Sequence, residues 1–530
     1  MTSAVIEKNM KERSTNLSAN IAAIFEKSAE IDISLFSLEM ISQQVSDSYE
    51  LIKIESGKEF HRALDFMSIP FLEKASAGPA ALLDGIVEVQ QGPRPSLRTL
   101  ALREFLREGK YKLLSPFTGT LSVVNTSLGL EWYYHQYNGD YCLVSHMGGT
   151  MTTDIVETVW VFPRHGVAIY IENGLNKGEI EKEISKLLYR CLLNRVELMD
   201  YISSSVRRRV ISLSDFPCPH MAHNLWNVQT GWANIIDSID LSAARRFIFY
   251  SNQNFFGHLD EIHLDSAVAS HKDNFISVRN VDEMFRVIMK ENLFVLTVKD
   301  KYFTESFAQK VIKTAQSHCS KEFLDYVMHI RARPLIVTTI RLDNRSWIEQ
   351  EKGLISLYRR LIVDFPQVEF VLDGLSSDTA KEWTTSWMSM EAELQVAQRI
   401  KDAVGEDRVH LSVGRKFSES IVLNNAADLF IAPSGSGMTL YKWVSNIPGI
   451  AFSNRSVLDL KNWHSWPLRV WHDNKLRENL VATIHLSPDA VTDGEMQRKS
   501  ITRANFSLDW MKLYEASLPL IKEVVQSKLE

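Results

Sequence analysis

Ala427-Asp-Leu-Phe-Ile-Ala-Pro433-Ser-Gly-Ser-Gly437-Met-Thr-Leu-Tyr-Lys-Trp-Val444-Ser-Asn-Ile-Pro448-Gly-Ile-Ala-Phe-Ser453 is the stretch that decides the fold. A run of strand formers over 428–433 enters Ser434-Gly435-Ser436-Gly437 directly. Helical spacing over 438–444 follows, and a second apolar run closes the unit at 449–453. Strand, turn, helix and strand at this spacing make one repeat of a parallel sheet covered on both faces. Glycine lets the backbone approach a phosphate closely, and free amides at a helix start attract negative charge. Ser434 and Ser436 add hydroxyl donors, and Thr439 and Lys442 on the following helix complete this candidate donor site. The same glycines also serve an ordinary tight βα turn, so the turn by itself leaves both readings open.

The alternation extends in both directions. After Arg333-Pro334, apolar runs at 335–340, 368–374 and 409–413 alternate with helical spacing at 351–364, 391–404 and 419–426, and a last helix spans 508–528. Before that break, strands are expected at 210–213, 247–250 and 293–298, with helices at 281–290 and 304–318. Two such series imply two Rossmann-like lobes facing each other across a cleft, with ligands beyond the carboxyl ends of the strands. Further upstream, Leu121-Ser-Val-Val, Tyr141-Cys-Leu-Val and Val159-Trp-Val-Phe read as antiparallel strands turning at Asn138-Gly139-Asp140 and Arg164-His165-Gly166. Helical spacing covers 20–30, 97–108 and 177–196. The expected fold is therefore α/β. An N-terminal α+β module of unassigned role (1–205) precedes a first lobe (206–333) and a second lobe (334–490), and a helical segment (491–530) packs back on the lobes.

Bulk properties narrow the function. The 530 residues are enough for about three domains. A hydrophobic content of 45% with 23% charged residues is that of a globular protein. The net charge of −6 argues against nucleic acid as the main partner, since phosphate neutralisation needs a basic surface. Arg207-Arg208-Arg209 reads as a solvated helix end. Residues 1–20 lack the apolar core of a signal peptide, and no apolar stretch of about 18 residues is present. The four cysteines form no CxxC pair, which fits a reduced compartment without structural zinc. A cytoplasmic protein without a transmembrane segment is expected. Contact with the inner face of a membrane, a homo-oligomer, and a protein partner bound through the N-terminal module all stay open.

The 427–453 pattern, a strand ending in Pro-Ser-Gly-x-Gly, a helix, and a Pro-Gly before a short strand, resembles the donor-binding lobe of GT-B glycosyltransferases. The likeness covers about 334–454, with support at the level of fold for 206–334 and none for the first 200 residues. It implies that Ser434, Gly435, Ser436 and Gly437 hold the diphosphate of a nucleotide-sugar, which is a co-substrate, so no cofactor is expected. The paired glutamates that many retaining members carry around this helix are missing, and Tyr441, Lys442 and Trp443 stand there instead. That departure places the chain nearer to inverting members. No Asp-x-Asp pair occurs in the sequence, so the metal clamp of the other major transferase fold has no ligands here and a metal-independent reaction is expected.

Several further residues follow the expected strands. Arg341 and Arg345 flank Asp343 after the strand at 335–340. Guanidinium groups there suit a diphosphate leaving group, and the stretch is loosely similar to the arginine-rich loop of fucosyltransferase-like enzymes. An Arg–Asp–Arg surface cluster is the equal alternative. Asp373 could accept from a ribose or sugar hydroxyl, or simply belong to an Asp-Gly turn. Arg415 and Lys416 stand where such folds contact base or phosphates, with residues 420–425 framing the pocket. In the first lobe, Ser214-Asp215-Phe-Pro-Cys-Pro-His220-Met-Ala-His223-Asn224-Leu-Trp226-Asn227 is dense in polar and aromatic groups. His223 is the expected catalytic base, with Asp215 and His220 as rivals, unless the histidines cap a helix. The prolines make this a loop and no third ligand is nearby, so the two histidines do not make a zinc site. Asn224, Trp226, Asn227, Trp463 and Trp466 are candidate acceptor-binding residues, the tryptophans as flat faces for sugar rings or as packing against the last helix.

The function expected on these grounds is transfer of a sugar from a nucleotide-sugar donor to a glycan, lipid-linked or protein acceptor. A nucleotide-sugar epimerase of the same fold and a non-catalytic glycan- or nucleotide-binding pseudo-enzyme are the alternatives.

Overall fold

The computed structural model describes residues 23–26, 37–54, 62–77, 82, 111–129, 132–138, 140–147, 157–171, 177–204, 211–215, 218, 220–236, 246–263, 273–378, 390–459, 477–494 and 503–529. The helix expected at 97–108 lies outside these residues, as does most of that at 20–30. The chain divides into two compact units. Unit 1 comprises Met1–Cys218, Trp226–Gln253 and Asp265–Lys301, and unit 2 comprises Pro219–Leu225, Asn254–Leu264 and Tyr302–Glu530.

Unit 1 contains β1 (Glu50–Ile54), a small hairpin of β2 (Tyr111–Leu114) and β3 (Leu121–Val124), and the strands β4 (Trp132–Tyr137), β5 (Asp140–Met147), β6 (Glu157–Phe162) and β7 (Val167–Ile171). The larger sheet has the order β1-β7-β6-β5-β4. β1 runs parallel to β7, and the other pairs are antiparallel, joined by hairpins that close at Tyr137↔Asp140 and Phe162↔Val167. Successive side chains in a strand point to opposite faces, and here both faces are buried. Cys142, Val144, Trp160 and Phe162 pack with Phe71 and Leu72. Tyr141, Leu143, Val159 and Val161 pack on α1 (Leu38–Ser48) and α2 (Lys177–Leu193) and share a core with Ile248 and Val295.

Ile248 and Val295 belong to a second sheet made of β8 (Ile211–Ser214), β9 (Arg246–Tyr250), β10 (Phe275–Val278) and β11 (Phe294–Thr297), all parallel, in the order β10-β9-β8-β11. The expected border at 205/206 therefore runs through one continuous core.

Unit 2 is built on six parallel strands: β12 (Leu335–Thr339), β13 (Glu369–Asp373), β14 (Val409–Leu411), β15 (Leu429–Pro433), β16 (Gly449–Phe452) and β17 (Thr483–His485). Their order is β14-β13-β12-β15-β16-β17. The chain lays down three strands outward from β12, returns, and lays down three in the other direction, which is the doubly wound order. β13, β15 and β16 are buried along their whole length, as strands covered on both faces must be. Leu354, Leu357, Tyr358 and Leu361 of α3 (Gln350–Asp364) cover one side together with Leu513, Ile521 and Val525 of the last helix, Trp510–Leu529.

Helices Glu305–Ser317 and Lys321–Arg331 pack on Phe417–Ala426 and so belong to this unit. The break at Arg333-Pro334 is a connection inside unit 2, and the division falls at 301/302 instead.

Gly353 of α3 shows how tightly the layer is built. A Cβ there would lie 2.1 Å from the Trp347 ring. Trp347 is buried, and its indole donates to the Leu508 carbonyl at 3.0 Å, holding the loop after β12 against the C-terminal segment. Gly353→Ala should force the indole out and destabilise the protein by about 1–3 kcal/mol. Denaturant titration checks this, and an unchanged midpoint would mean the ring has room to move.

Candidate functional site

β12 and β15 are adjacent in the sheet, but the connections leaving them run to opposite sides. In a doubly wound sheet this reversal opens a crevice at the carboxyl ends of the strands. The loop from β12 carries Arg341 and Arg345, and the loop from β15 is Ser434–Gly437. Arg341, Arg345 and Ser434–Gly437, all singled out in sequence for phosphate binding, therefore come from the loops after the two strands that flank the reversal.

Arg341 is fixed at its backbone and at one edge of its guanidinium. Its amide donates to Gln350 Oε1 at 3.1 Å, and Gln350 Nε2 donates to its carbonyl at 2.8 Å. Nε pairs with Asp343 Oδ1 at 2.8 Å and donates to the Asn344 carbonyl at 2.6 Å, while Nη2 donates to Asn344 Oδ1 at 3.1 Å. Nη1 makes none of these bonds. It lies 2.1 Å from where a Cβ of residue 435 would stand, so only glycine admits the guanidinium against the turn. The two readings of this cluster from sequence thus describe different edges of the same side chain. One edge is paired with acid and the other faces the Ser-Gly turn.

Arg345 sits in the left-handed region at φ 55°. Its amide donates to the Arg503 carbonyl at 3.3 Å, and the next amide donates to Asn505 Oδ1 at 3.0 Å. Its guanidinium donates to Asn344 Oδ1 at 3.3 Å. Burial and the neighbouring Arg341 pull its pKa down to about 9. The group stays charged at neutral pH. On the turn itself, the Ser434 amide donates to the Phe452 carbonyl at 2.7 Å. The amides of Gly435, Ser436 and Gly437 make no backbone hydrogen bond among the described residues. The hydroxyls of Ser434 and Thr439 are buried without a partner there. Thr439–Val444 is a single π-helical stretch rather than the α-helix expected, so the turn presents its own amides and not a long helix end.

Other candidates are placed differently. Asp373 points into the protein, accepting from Ser412 Oγ at 2.8 Å, Asn424 Nδ2 at 3.1 Å and Tyr441 Oη at 2.5 Å. Its acceptor sites are used by the protein, so it is not left for a ribose hydroxyl. Lys442 is buried and donates to the carbonyls of Ile447 at 3.2 Å and Val481 at 2.6 Å, with burial pulling its pKa to about 8. It secures the turn before β16 instead of reaching a phosphate. Arg415 is held by the Leu411 carbonyl at 2.7 Å and lies over the Phe323 ring. Lys416 is the exposed N-cap residue of Phe417–Ala426.

Glu393 was not foreseen. It is buried, accepts from the Leu375 amide at 2.7 Å, and is raised to about 7 by burial and by Asp343 and Asp373. Its signal in the sequence is the spacing of Glu393, Val396, Ala397 and Ile400, which puts the carboxyl on the inward face of its helix.

The histidine segment is split between the units. Asp215 belongs to unit 1, while Pro219–Leu225 belongs to unit 2 with the arginines. The His220 and His223 rings meet edge to face at 5.0 Å. Burial, followed by His223, Arg341 and Arg345, holds the His220 pKa down to about 4. Asn224 is buried and its amide donates to the His220 carbonyl at 2.7 Å. In unit 1, Asp215 is buried, accepts from the Trp232 indole, and is raised to about 7 by desolvation. Trp226 and Asn227 are interior residues. The Trp226 indole donates to the Lys301 carbonyl at 3.1 Å, and the Asn227 carbonyl accepts from the Asp300 amide at 3.0 Å. Burial leaves neither side chain a face for a sugar. Trp463 and Trp466 lie outside the described residues. No helix among the described residues is long and apolar enough to cross a membrane.

Asp215 and Glu393 both titrate near 7, against roughly 4 for an unfolded carboxyl. The folded chain thus keeps two protons that the unfolded chain has released. This stability is fully present below about pH 4 and is lost as the pH rises to about 7. Each group contributes a slope of up to about 1.4 kcal/mol per pH unit. Asp215→Asn and Glu393→Gln should each flatten the unfolding free energy across that window. Profiles parallel to the wild type would show that these carboxyls titrate normally.

No family model matches the sequence, and no curated protein matches it. Among solved structures, it is similar to a glycosyl transferase of family 9 from Veillonella parvula at 10% identity and a TM-score of 0.32, covering 59% of this chain and 97% of that one. It is similar to the same extent, 10% identity and a TM-score of 0.31, to the ADP-heptose LPS heptosyltransferase II of E. coli, covering 59% of this chain and 99% of that one. Trehalose-6-phosphate synthase OtsA follows at 9% identity and a TM-score of 0.23, over 68% and 83% of the two chains. At such scores the fold rests on the strand order described above.

Proposed function

We propose that the protein is a glycosyltransferase of the GT-B type that moves a sugar from a nucleotide-sugar to a hydroxyl of a glycan, lipid-linked or protein acceptor, with inversion and without a metal ion. The observation that carries this reading is Arg341 lodged against Gly435, with one guanidinium edge directed at a turn whose Gly435, Ser436 and Gly437 amides make no backbone hydrogen bond among the described residues. A diphosphate is the ligand chemistry that satisfies both groups at once: its oxygens accept from guanidinium in two-point fashion and from clustered backbone amides.

In the reaction, the bond from the sugar's anomeric carbon to the β-phosphate oxygen breaks, and its electron pair leaves with the diphosphate. Arg341, Arg345 and the 435–437 amides neutralise the charge that develops there, as preorganised donors do at a leaving group. The acceptor hydroxyl attacks from the opposite face and gives its proton to a base. His223 is the residue proposed for that step, with His220 and Asp215 as alternatives. Ser434, Ser436 and Thr439 are proposed as further hydroxyl donors around the same anion.

A thermal-shift screen of UDP, GDP, CMP and dTDP tests the binding half. A ligand at 100 times its Kd stabilises the folded state by about 2.7 kcal/mol, so one nucleotide should raise the Tm. Arg341→Ala should abolish that rise, and Arg345→Lys should weaken it. If none of the four moves the wild-type transition, the reading fails. Slow donor hydrolysis without acceptor, lost in Arg341→Ala and His223→Ala, tests the chemical half. Donor binding without turnover on glycan, lipid-linked and protein acceptors would favour the non-catalytic alternative.

A further inference from the structure

The π-helical stretch Thr439–Val444 runs from the Ser-Gly turn towards β16. A π-helical carbonyl accepts from the amide five residues on. Ser445 serves Leu440 in this way at 2.8 Å, and Ile447 gives its amide to Tyr441 at 3.0 Å. Five residues after Trp443 stands Pro448, which has no N–H. A buried carbonyl still needs a donor, and Arg477 supplies one: its Nε donates to the Trp443 carbonyl at 3.1 Å.

Arg477 is fully buried and is held in turn by its surroundings. Nη2 pairs with Glu305 Oε2 at 2.7 Å, Nη1 donates to the Glu478 carbonyl, and the guanidinium carbon lies 5.8 Å from the centre of the Phe303 ring. The backbone beside it is joined to the same place. The Glu478 amide donates to the Phe303 carbonyl at 3.0 Å, and the Glu305 amide donates to Glu478 Oε2 at 2.9 Å. Lys442 and Asn446 fasten the residues that follow, through the carbonyls of Val481 at 2.6 Å and Asn479 at 2.8 Å. One guanidinium thus anchors the far end of the π-helical stretch to the start of helix Glu305–Ser317.

The near end of the stretch is bonded to the turn. The amides of Met438, Thr439 and Leu440 donate to the carbonyls of Gly435, Ser436 and Gly437, each at 3.1 Å. A peptide unit is planar. Fixing the Gly435 carbonyl therefore fixes the Ser436 amide, and fixing the Ser436 carbonyl fixes the Gly437 amide. We propose that Arg477 is a positioning residue of the anion site: by holding the Trp443 carbonyl it keeps the π-helical stretch in place, and so orients the Ser436 and Gly437 amides for a nucleotide's diphosphate. The inference rests on the diphosphate reading above and adds to it a residue that acts without touching the ligand. Lysine is a poor substitute, because its one nitrogen cannot serve Trp443, Glu478 and Glu305 together as a guanidinium fork does.

The test uses the full chain with UDP, GDP, ADP and dTDP. Calorimetry is run well below the Tm of each variant, so a loss of global stability does not enter the affinity. For the diphosphate that binds, Arg477→Met should weaken affinity about tenfold and Arg477→Lys about threefold, as for a residue acting through others. Hydrogen exchange read by mass spectrometry supplies the local measurement. In Arg477→Lys, the amides of residues 439–447 should exchange faster, while those of β12, β13 and β15 keep their wild-type rates. Affinities within about twofold of the wild type in both variants overturn the inference and leave the transferase reading standing. Faster exchange throughout the sheet makes Arg477 a support of the whole fold and overturns it as well. If Arg477→Met does not fold, Arg477→Lys decides by the same two measurements. If none of the four diphosphates binds the wild type, the inference and the reading beneath it fail together.

Discussion

The guanidinium of Arg341 and the missing side chain of Gly435 occupy one volume, and much of unit 2 serves to keep them there. Gln350 grips both backbone groups of Arg341 from the first turn of α3. Asp343 and Asn344 hold one edge of the guanidinium. Trp347 fastens the far end of the same loop to the C-terminal segment, and Gly353 makes room for its ring. Each contact removes freedom that a ligand would otherwise have to remove on binding. Such preorganisation is what allows a cationic site to act on a developing charge without rearranging first. The cost is visible at Arg345, which combines a left-handed backbone with a guanidinium whose pKa burial pulls down to about 9.

Beneath this site, the polar interior solves a different problem. Asp373 ends β13 next to the reversal and is buried. A bare carboxylate there would be expensive. Ser412, Asn424 and Tyr441 donate to it from three separate segments, and Thr339 adds a bond to Tyr441 at 2.7 Å. The network ties β12, β13, the loop after β14 and the π-helical stretch together below the turn. Its function is to fix the loops relative to one another, which explains how an aspartate at a strand end can be central to a site without touching a ligand.

The alternation of apolar runs and helical spacing was readable because buried parallel strands cannot hide. Leu335–Thr339, Glu369–Asp373, Leu429–Pro433 and Gly449–Phe452 all fall on runs recognisable by composition. β10 and β17 were missed, being short and edge-placed, with polar residues between their apolar ones. β1 was missed because its partner lies more than a hundred residues away, and no local pattern reports a pairing across that span. At the site, the approach of Arg341 to the Ser-Gly turn follows from strand order, which spacing does imply. The inward turn of Asp373 and Lys442 does not, because a lone polar residue after a strand reads the same whether its partners are carbonyls or a substrate. Unit assignment was the least legible feature. Glu305–Ser317 has the spacing of a helix wherever it packs, and only its contact with Phe417–Ala426 shows which core it serves.

The chain passes between the two units after residues 218, 225, 253, 264 and 301. During synthesis, therefore, residues 219–225 and 254–264 leave the ribosome before most of the surface they pack on has been made. The first unit is complete in sequence by residue 301, yet two segments within that span pack with residues translated later. Assembly of the second unit is what finally gives the histidine segment a fixed address, so the order in which the chain is made leaves the candidate site among the last parts to form.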